Sequence, residues 1–376
     1  MNIEQLIEYL KSYEPFVAQV KSWVRFDSFE GSYAPFPTHI DERLAAIYKR
    51  RGIERLYSHQ RESCDAVARG EDVVVVTPTA SGKTLCYNLP VLSSMMSNPE
   101  GRALYLFPTK ALSQDQMSEL HEVIGETKLS IKTFTFDGDT PASARKAIRA
   151  AGNIVITNPD MLHSGILPHH TIWVKLFENL KFIVIDEIHS YRGVFGSHFA
   201  NLMRRLLRLC AFYGSNPRFI CCSATIHNPR EHAEALIGRS FRLVDRSGAP
   251  RGEKHYLIYN PPVVNEELGI RASAVKEAAR VGSLLLKNRI PTIVFARSRV
   301  RVEIISTYLK ESCPELEGKI AAYRGGYLPN ERRAIEQGLR SGKIIGVVST
   351  SALELGIDIG MLDASVSVGY PGSISS

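Results

Sequence analysis

Residues 72–89 read DVVVVTPTASGKTLCYNL, and this stretch decides the fold class. The run of valines within 72–76 is typical of a strand that is buried on both faces of a parallel sheet. It leads through a polar turn, 77–84, into a segment over 85–89 that can begin a helix. Because backbone N–H groups and a helix N-terminus together attract anions, a strand, loop and helix in this order predict a phosphate-binding site.

The loop carries the side chains that a nucleoside triphosphate requires. Lys83 is placed to reach the β- and γ-phosphates, and the Thr84 hydroxyl is placed to bind Mg²⁺. Two residues depart from the GxxxxGK[ST] pattern, since Thr77 stands at its first glycine and Ala80 stands where many such loops have glycine. A chance turn containing Gly-Lys-Thr is the alternative interpretation. The residues predicted to bind ATP here are Thr79, Ala80, Ser81, Gly82, Lys83 and Thr84.

A pair of carboxylates follows another apolar run, 182–185. Parallel strands present their carboxyl ends to ligands at one edge of the sheet, so Asp186 and Glu187 are expected near the phosphate loop. Asp186 is suited to holding Mg²⁺, and Glu187 is suited to orienting and deprotonating the water that attacks the γ-phosphate. His189 is predicted to couple the nucleotide state to a second domain, the alternative being a surface or capping histidine. The predicted catalytic residues are Lys83, Asp186, Glu187 and His189.

Two further segments are predicted to belong to the same site. Upstream of the loop, Tyr57 and Gln60 are expected to contact the base, since the Gln60 amide can donate to and accept from an adenine edge at once. A capped helix with Gln60 on its exposed face is the alternative. Ser223 and Thr225 follow a strand that ends at the same sheet edge, where their hydroxyls can link the carboxylates to groups that move on hydrolysis. Otherwise they cap a helix.

The chain alternates short apolar runs with helical stretches in two blocks. A polar, proline-containing stretch over 245–275 separates the blocks, which predicts two α/β units in tandem with a ligand cleft between them. The sequence thus predicts an N-terminal arm over 1–50, a first domain over 51–247 and a second over 248–376. The strands expected are 72–76, 103–107, 154–157, 182–185 and 219–222 in the first domain, and 292–296, 319–322, 344–349 and 364–368 in the second.

The predicted arm begins with apolar residues at helical spacing, namely Ile3, Leu6, Ile7 and Leu10. An aromatic and proline-rich stretch over 32–37 follows it. We expect the amphipathic helix to pack on its own neighbouring domain, with the binding of a partner as the alternative.

Composition limits the class of protein. The 376 residues carry 46 Lys and Arg against 39 Asp and Glu, and the net charge of +7 permits an anionic partner without requiring one. The six cysteines show neither zinc-ligand spacing nor a disulfide framework, which predicts reduced, mostly buried thiols. Glu4 and Glu8 stand where a signal peptide has positive charge, and no apolar run is long enough to cross a bilayer. A cytoplasmic protein with no membrane partner is therefore expected.

Taken in order, these residues resemble the motifs of the superfamily-two helicases over nearly everything after residue 30. The matching segments are Gln60 (Q motif), 77–84 (I), 108–112 (Ia), 157–160 (Ib), 186–189 (II), 223–225 (III), 294–298 (IV), 323–327 (IVa) and 349–358 (V). More narrowly, 33–37, 56–60 and 186–198 resemble the YprA-type DEAD/DEAH-box DNA helicases. That branch includes bacterial mitomycin repair factor A and its fungal RecQ4-like relatives.

The resemblance implies an α/β fold of two tandem RecA-like parallel-sheet domains, the second incomplete, after a short helical arm. It implies ATP and Mg²⁺ as cofactors, and single-stranded or tailed DNA as the partner of a monomer in the bacterial cytosol or nucleoid. Gly356 and Asp358 would reach the nucleotide from the second domain, while other motif residues would hold the strand mainly by its phosphates. For each motif of the second domain, a strand end with a turn is the alternative. The expected DNA contacts are Thr109, Lys110, Asn158, Arg297, Ser298, Ser349 and Thr350.

The family's motif VI is expected shortly after residues 369–372, yet the sequence stops at Ser376. The arginine of that motif would neutralise charge on the γ-phosphate, and such a residue is worth on the order of a thousandfold or more in rate. The sequence therefore predicts a fragment that binds ATP weakly and hydrolyses it poorly, and that lacks the family's cysteine-rich zinc domain.

The function that the resemblance implies is that of an ATP-dependent DNA helicase or translocase acting in DNA repair, with the 3′ to 5′ polarity associated with the family. An RNA helicase or remodeller is one alternative, because phosphate contacts do not distinguish the sugars. A nucleotide-dependent clamp without turnover is another, although a clamp has no need of a water-activating carboxylate such as Glu187.

Overall fold

The computed structural model describes residues 1–127, 130–353 and 362–370. The chain divides into two compact units. The first unit spans Ser28–Gly252 and contains the predicted phosphate loop, and the second unit combines Met1–Asp27 with Glu253–Ser376. Within the described residues, no helix is both long and apolar enough to span a membrane. All six cysteines are buried and free, as expected from their spacing.

The strands, numbered along the described chain, are β1 (Val20–Phe26), β2 (Tyr33–Ala34), β3 (Leu56–Tyr57), β4 (Val73–Val76), β5 (Arg102–Leu106), β6 (Thr133–Thr135), β7 (Ile154–Thr157), β8 (Leu180–Ile185), β9 (Arg218–Ser223), β10 (Arg242–Val244), β11 (Lys254–Tyr259), β12 (Val263–Asn265), β13 (Ile270–Arg271), β14 (Thr292–Phe295), β15 (Ile320–Tyr323), β16 (Gly346–Ser349) and β17 (Ala364–Ser367).

The α-helices are α1 (Ile3–Ser12), α2 (Glu14–Val17), α3 (Glu42–Arg50), α4 (Ser58–Ala68), α5 (Lys83–Ser97), α6 (Lys110–Thr127), α7 (Ala142–Ala151), α8 (Pro159–Met161), α9 (Val174–Glu178), α10 (Gly193–Phe212), α11 (Pro229–Ile237), α12 (Ala274–Lys287), α13 (Arg299–Ser312) and α14 (Pro329–Arg340).

The first unit is built on a parallel sheet with the strand order β10-β4-β9-β8-β5-β7-β6. Helices cover both faces, and the apolar strands are buried on both sides. In β4, for example, Val73 and Val75 pack into the core on one face, whereas Val74 and Val76 pack into the core on the other. The predicted buried strands of this unit are confirmed, while the short strands β6 and β10 were not predicted.

The second unit contains a parallel sheet with the order β15-β16-β14-β17. Its core forms where α12 and α13 pack against the sheet through residues such as Leu286, Val294 and Leu309. All of the strands predicted over 292–368 are present, with ends that differ by one or two residues. The predicted fold of two parallel-sheet α/β units is therefore confirmed.

The polar stretch over 245–275 is not simply a linker, because it contains β11, β12 and β13. Strand β11 pairs antiparallel with β1, and Val24 lies opposite Tyr256 in this ribbon. This pairing places residues 1–27 with the second unit, while 28–50 belong to the first, so the structure divides the predicted arm over 1–50.

The first helix, α1, packs on the second unit. This confirms the prediction that the amphipathic helix packs on a domain of its own chain. Leu6 is fully buried and lies in one apolar cluster with Leu285 and Ile290. The α1 N-terminus is closed by a capping box between Asn2 and Gln5. The helix thus contributes to the core of this unit.

Candidate nucleotide-binding site

The predicted site residues meet at the carboxyl edge of the first sheet. Strand β9 lies between β4 and β8, with Val76 opposite Ser223 and Ile185 opposite Cys221. The loop that follows β4 and the carboxylates that follow β8 therefore flank the end of β9. The sheet register alone brings the three predicted motifs of this unit to one edge, as expected for a parallel sheet.

The loop between β4 and α5 is closed by its own hydrogen bonds. The Thr77 and Ser81 hydroxyls lie 2.6 Å apart in the interior. Gly82 is the N-cap of α5 and has φ +72°, a left-handed conformation that favours glycine. Ala80 is also left-handed, with φ +58°, which costs an L-residue of the order of 1 kcal/mol. The departure from glycine at this position therefore leaves strain in the loop, as is common at functional sites.

Lys83 is the first residue of α5. Its ammonium Nζ donates to the carbonyl oxygens of Thr77 and Pro78, each at 2.9 Å. The side chain thus folds back across the loop, at the end of a helix where the backbone favours anions. A phosphate group bound in the loop would compete for the same ammonium.

Gln60, on α4, supports the loop through a side-chain hydrogen bond. Its side chain is 2% exposed; Oε1 accepts from the Tyr57 amide at 2.9 Å, and Nε2 donates to the Gly82 carbonyl at 2.8 Å. The alternative of an exposed position for Gln60 is therefore wrong. The amide that was predicted to contact adenine is engaged with the backbone of the loop itself, because α4 packs directly against α5.

His59 holds the loop at Ser81, the residue before Gly82, through a second side-chain contact with a backbone carbonyl. The sequence did not single this histidine out. Nδ1 accepts the Gly248 N–H at 3.1 Å, so Nε2 carries the proton and donates to the Ser81 carbonyl at 3.0 Å. Burial lowers the pKa of His59 to about 4, which keeps the ring neutral and this tautomer in place. Its ring also stacks on that of Tyr57, with centroids 5.8 Å apart.

Asp186 is half-buried at the end of β8. Its Oδ1 accepts the Glu187 amide at 2.8 Å, and its Oδ2 lies 3.4 Å from the Tyr87 hydroxyl. The Tyr87 hydroxyl has one hydrogen to donate. Its shorter contact, 2.9 Å to Gln116 Oε1, is the stronger hydrogen bond. Burial, and then the charge of Glu187, raise the pKa of Asp186 to about 6. Tyr87 was not predicted from sequence, yet it ties α5 to this carboxylate.

Glu187 and His189 face each other without sharing a proton. Glu187 has φ +51°, and its Oε2 lies 3.2 Å from His189 Nδ1. The Ala224 N–H donates to that same Nδ1 at 3.3 Å, so the nitrogen presents a lone pair. Burial lowers the pKa of His189, which agrees with a neutral ring. Glu187 Oε2 is consequently buried without a hydrogen-bond partner, and burial raises the pKa of this carboxyl.

Ser223, the last residue of β9, and the following Ala224 contact His189 rather than the carboxylates. The buried Ser223 hydroxyl lies 3.5 Å from His189 Nδ1, whereas Thr225 is exposed. On the other side of residues 186–189, His232 Nε2 donates a hydrogen bond to the Ile188 carbonyl, which lies 3.0 Å away. His189, with its side chain 20% exposed, therefore lies in a network that joins the ends of β8 and β9, and its coupling to a second domain stays a prediction.

These donors fit a magnesium ion. Mg²⁺ takes oxygen ligands and is held by one or two carboxylates together with phosphate oxygens and water. Asp186 offers a half-buried carboxylate, and Thr84 offers a hydroxyl in the first turn of α5. In the described part of the chain, no group of three or more His, Cys, Asp or Glu side chains could hold a metal by itself. The orphaned Glu187 Oε2 is placed to accept a hydrogen bond from a polar ligand instead.

The predicted DNA contacts of the first unit follow β5 and β7 at the same sheet edge. Lys110 Nζ is 2.6 Å from Asp139 Oδ2. Thr109 Oγ1 accepts the Leu112 amide at 3.4 Å, and Asn158 Oδ1 accepts the Met161 amide at 2.8 Å. Thr109 and Asn158 therefore act as helix caps in this structure, and their contact with DNA stays a prediction.

The predicted contacts of the second unit differ in their exposure. Arg297 is exposed, and the Ser298 hydroxyl caps α13 by accepting the Arg301 amide at 3.2 Å. Ser349 is fully buried and donates to the Thr350 carbonyl at 2.7 Å, so its hydroxyl cannot reach a strand in this arrangement. Thr350 remains partly exposed. Gly356 and Asp358, predicted to reach the nucleotide, lie outside the described residues.

Two family descriptions match the chain. "DEAD/DEAH box helicase" matches residues 57–232, and "Helicase conserved C-terminal domain" matches residues 276–376. Together they cover the phosphate loop, the tetrad at 186–189 and the second parallel sheet.

Known relatives align with the whole length of this chain. The "Uncharacterized ATP-dependent helicase YprA" of Bacillus subtilis is 58% identical, with 100% of this chain and 50% of that protein aligned. The crystal structure of DUF1998 helicase MrfA bound to DNA and AMPPNP superposes with a TM-score of 0.95 at 58% identity, covering 100% of this chain and 52% of that one.

A more distant structure also matches. The helicase Lhr of Mycobacterium smegmatis, bound to ssDNA and AMP-PNP, gives a TM-score of 0.71 at 25% identity, covering 89% of this chain and 44% of that one. The chain thus spans about half the length of these relatives.

Proposed function

The chain belongs to the superfamily-two DEAD/DEAH box helicases, and from this we propose that it is the ATP-hydrolysing motor of a DNA helicase or translocase. In this proposal, hydrolysis drives movement along single-stranded DNA. Two observations on relatives support DNA as the partner, since MrfA is bound to DNA and AMPPNP and Lhr is bound to ssDNA and AMP-PNP.

The observation that carries the proposal is the pair of half-buried carboxylates beside the phosphate loop, of which Glu187 Oε2 is buried without a hydrogen-bond partner. Asp186 and Glu187 both have raised pKa values because burial disfavours their charge, and neither has a cationic side chain bonded to it. Buried carboxylates without a salt-bridge partner are costly, and a cation with a bound nucleotide would remove that cost. A clamp without turnover would not require the second carboxylate.

The binding step in this mechanism is an exchange of partners by Lys83. Its ammonium leaves the carbonyls of Thr77 and Pro78 and binds the phosphates, which the α5 N-terminus also attracts. Gln60 and His59 hold the loop through its Gly82 and Ser81 carbonyls, so the loop need not reorganise. The nucleotide therefore meets a site whose dipoles are already oriented.

Thr84 and Asp186 are the residues that would hold Mg²⁺. When bound, the ion neutralises negative charge on phosphate oxygens. A cation beside Asp186 stabilises the ionised carboxylate against the burial that raises its pKa.

Glu187 would act as the general base. Its buried Oε2 has no hydrogen-bond donor of its own, so it can accept one from the attacking water and take up the proton. A raised pKa makes the carboxylate a stronger base than an exposed glutamate. His189 and Ser223 would transmit the change in nucleotide state to neighbouring elements, because they connect the ends of β8 and β9.

DNA would be held mainly through its phosphates by Lys110, Thr109 and Asn158, and by Arg297, Ser298 and Thr350 of the second unit. A phosphate at Lys110 has to displace Asp139, which forms an exposed and therefore weak ion pair. Action in DNA repair, 3′ to 5′ polarity, a monomeric state and a place in the bacterial cytosol or nucleoid are parts of the same proposal, and they rest on the family resemblance.

The experiment is a comparison of ATP hydrolysis with and without nucleic acid. We expect single-stranded DNA to raise the rate and RNA of the same sequence to leave it unchanged. The stimulation ratio is the readout, because the weak absolute turnover expected from the sequence stays a prediction. Stimulation by RNA alone would support the RNA helicase alternative and overturn the proposal. Duplexes with a 3′ or a 5′ tail then test polarity.

A further inference from the structure

The first unit carries a cationic surface on three helices, α7, α9 and α10. Neither α7 nor α10 contains an Asp or Glu, although α10 is twenty residues long. Helix α9 packs against both of the others, so the three form one continuous flank of the unit. Glu178, at the end of α9, is the acidic residue on these helices.

The α10 part of this surface is a row of arginines. Arg204 and Arg208 are exposed and lie one turn apart, a rise of about 6 Å along the axis. Arg204 donates to the Asn201 side chain, and the neighbouring Arg205 donates to His163 Nδ1 at 2.8 Å. Among the described residues, none of these three arginines forms an ion pair with a carboxylate, unlike the exposed arginines elsewhere on this unit, such as Arg50, Arg69 and Arg230.

The α7 part is concave. Lys146, Arg149 and Lys175 line a cavity of about 270 Å³ together with Ala150, Ile172 and Val174. Its lining contains three cations and no carboxylate. Cations grouped in this way repel one another, and a polyanion spanning the surface would remove that repulsion.

We propose that the basic surface formed by Lys146, Arg149, Lys175, Arg204 and Arg208 binds the phosphate backbone of duplex DNA, the double-stranded part of a tailed substrate. The proposal rests on the proposed function and adds a second contact area to it. Duplex DNA carries one charge per about 1.7 Å of its axis. Arg204 and Arg208, one turn apart on α10, and the three cations at the cavity can therefore each meet a phosphate. A single strand would need exposed aromatic side chains for its bases to stack on, whereas the five residues of this surface are all cations, which bind phosphates.

The test is fluorescence anisotropy with a blunt labelled duplex and a labelled single strand, each titrated over a range of salt concentrations. The variants are the pairs Arg204→Gln/Arg208→Gln and Lys146→Gln/Arg149→Gln, and Arg50→Gln/Arg69→Gln is the control with the same change of charge. We expect each surface pair to weaken duplex binding on the order of tenfold at 0.1 M salt. The slope of log K against log salt should fall by about 0.9 for each phosphate that the variant no longer neutralises.

Other readouts separate this inference from the proposed function. Single-strand affinity and strand-stimulated ATP hydrolysis should not change in the surface pairs, and Arg204→Lys/Arg208→Lys should keep the salt slope. Unchanged duplex binding in both surface pairs, or an equal loss in the control, would overturn the inference. The inference would also be overturned if poly-L-glutamate competed for the surface as well as unlabelled duplex DNA does. That result would indicate that an acidic protein occupies the surface. An absence of ATP hydrolysis with intact duplex binding would instead count against the motor.

Discussion

His59 illustrates how a single buried residue can support the nucleotide site without touching the nucleotide. Its two ring nitrogens join the Ser81 carbonyl to the Gly248 amide, and the contact with Gly248 needs the neutral ring because Nδ1 must accept there. Burial lowers its pKa in the folded state to about 4, whereas the ordinary value is about 6.5. As the pH falls, the unfolded chain therefore takes up the proton before the folded chain does.

We predict that the contribution of His59 to stability is fully present above pH 6.5 and is lost progressively between about pH 6.5 and 4. The loss amounts to at most about 1.4 kcal/mol per pH unit. Thermal unfolding at pH 7.5 and pH 5 measures it, and His59→Gln is the comparison because glutamine does not titrate. The variant should lose less stability between the two pH values. An equal loss in both proteins would contradict this role.

The chemical residues were predictable from sequence, but their supporting residues were not. Lys83, Asp186 and Glu187 follow strands directly, so strand recognition alone places them at one sheet edge. Gln60 is different, because its amide could serve either the base or the loop, and only the packing of α4 on α5 decides. Tyr87 gave no signal, since an aromatic residue inside a helix is usually core.

At the scale of the element, the phosphate loop depends on close packing between Gly82 and Gln60. A Cβ added to Gly82 would lie 2.6 Å from Gln60 Nε2, at a backbone φ of +72°. Gly214 provides a matched control, because its φ is +76° but nothing lies within 4 Å of the added atom. Both substitutions carry the backbone strain, and only one displaces the glutamine.

We predict that Gly82→Ala weakens ATP binding by about tenfold or more, since the missing hydrogen bond and the displaced loop each cost about 1 kcal/mol. Gly214→Ala should leave ATP binding unchanged and lower the melting temperature slightly. Isothermal titration with ATP and Mg²⁺ measures the affinity. Similar affinities for the two variants would show that Gln60 does not support the loop.

The second element with a testable role is α1. Leu6 is fully buried against Leu285 and Ile290, so Leu6→Ala should destabilise the second unit by about 2–5 kcal/mol. Leu268 is 72% exposed on the same unit, and Leu268→Ala should change stability by less than about 0.5 kcal/mol. Hydrogen exchange of the β14 and β16 amides reports on this unit alone. Equal protection in both variants would mean that α1 is not part of the core.

The position of α1 could not be read from the sequence. Its apolar spacing predicted an amphipathic helix that packs on its own protein, but not on which unit. The answer depends on the pairing of β1 with β11, whose residues are far apart in the chain. The polar and proline-containing composition around β11 indicated a boundary between two blocks, and the register of Val24 with Tyr256 becomes visible only in the structure.

At the scale of the whole molecule, the parallel sheets explain why the fold was predictable. Strands buried on both faces appear as uninterrupted apolar runs, so each interior strand left a clear signal, while the short edge strands β6 and β10 did not. The overall charge of +7 said little about nucleic acid. The distribution of charge says more, because α7 and α10 carry cations without any acidic residue.

The proposed function requires this chain to bind ATP through Lys83 and to hydrolyse it with Glu187 while bound to DNA. The most direct test is to measure ATP affinity and DNA-stimulated hydrolysis in the chain and in Glu187→Gln. We predict that the variant binds ATP with unchanged affinity, because the amide keeps the shape of the side chain, and that it loses hydrolysis because it cannot accept the proton. Hydrolysis by Glu187→Gln at the rate of the unmodified chain would contradict the account.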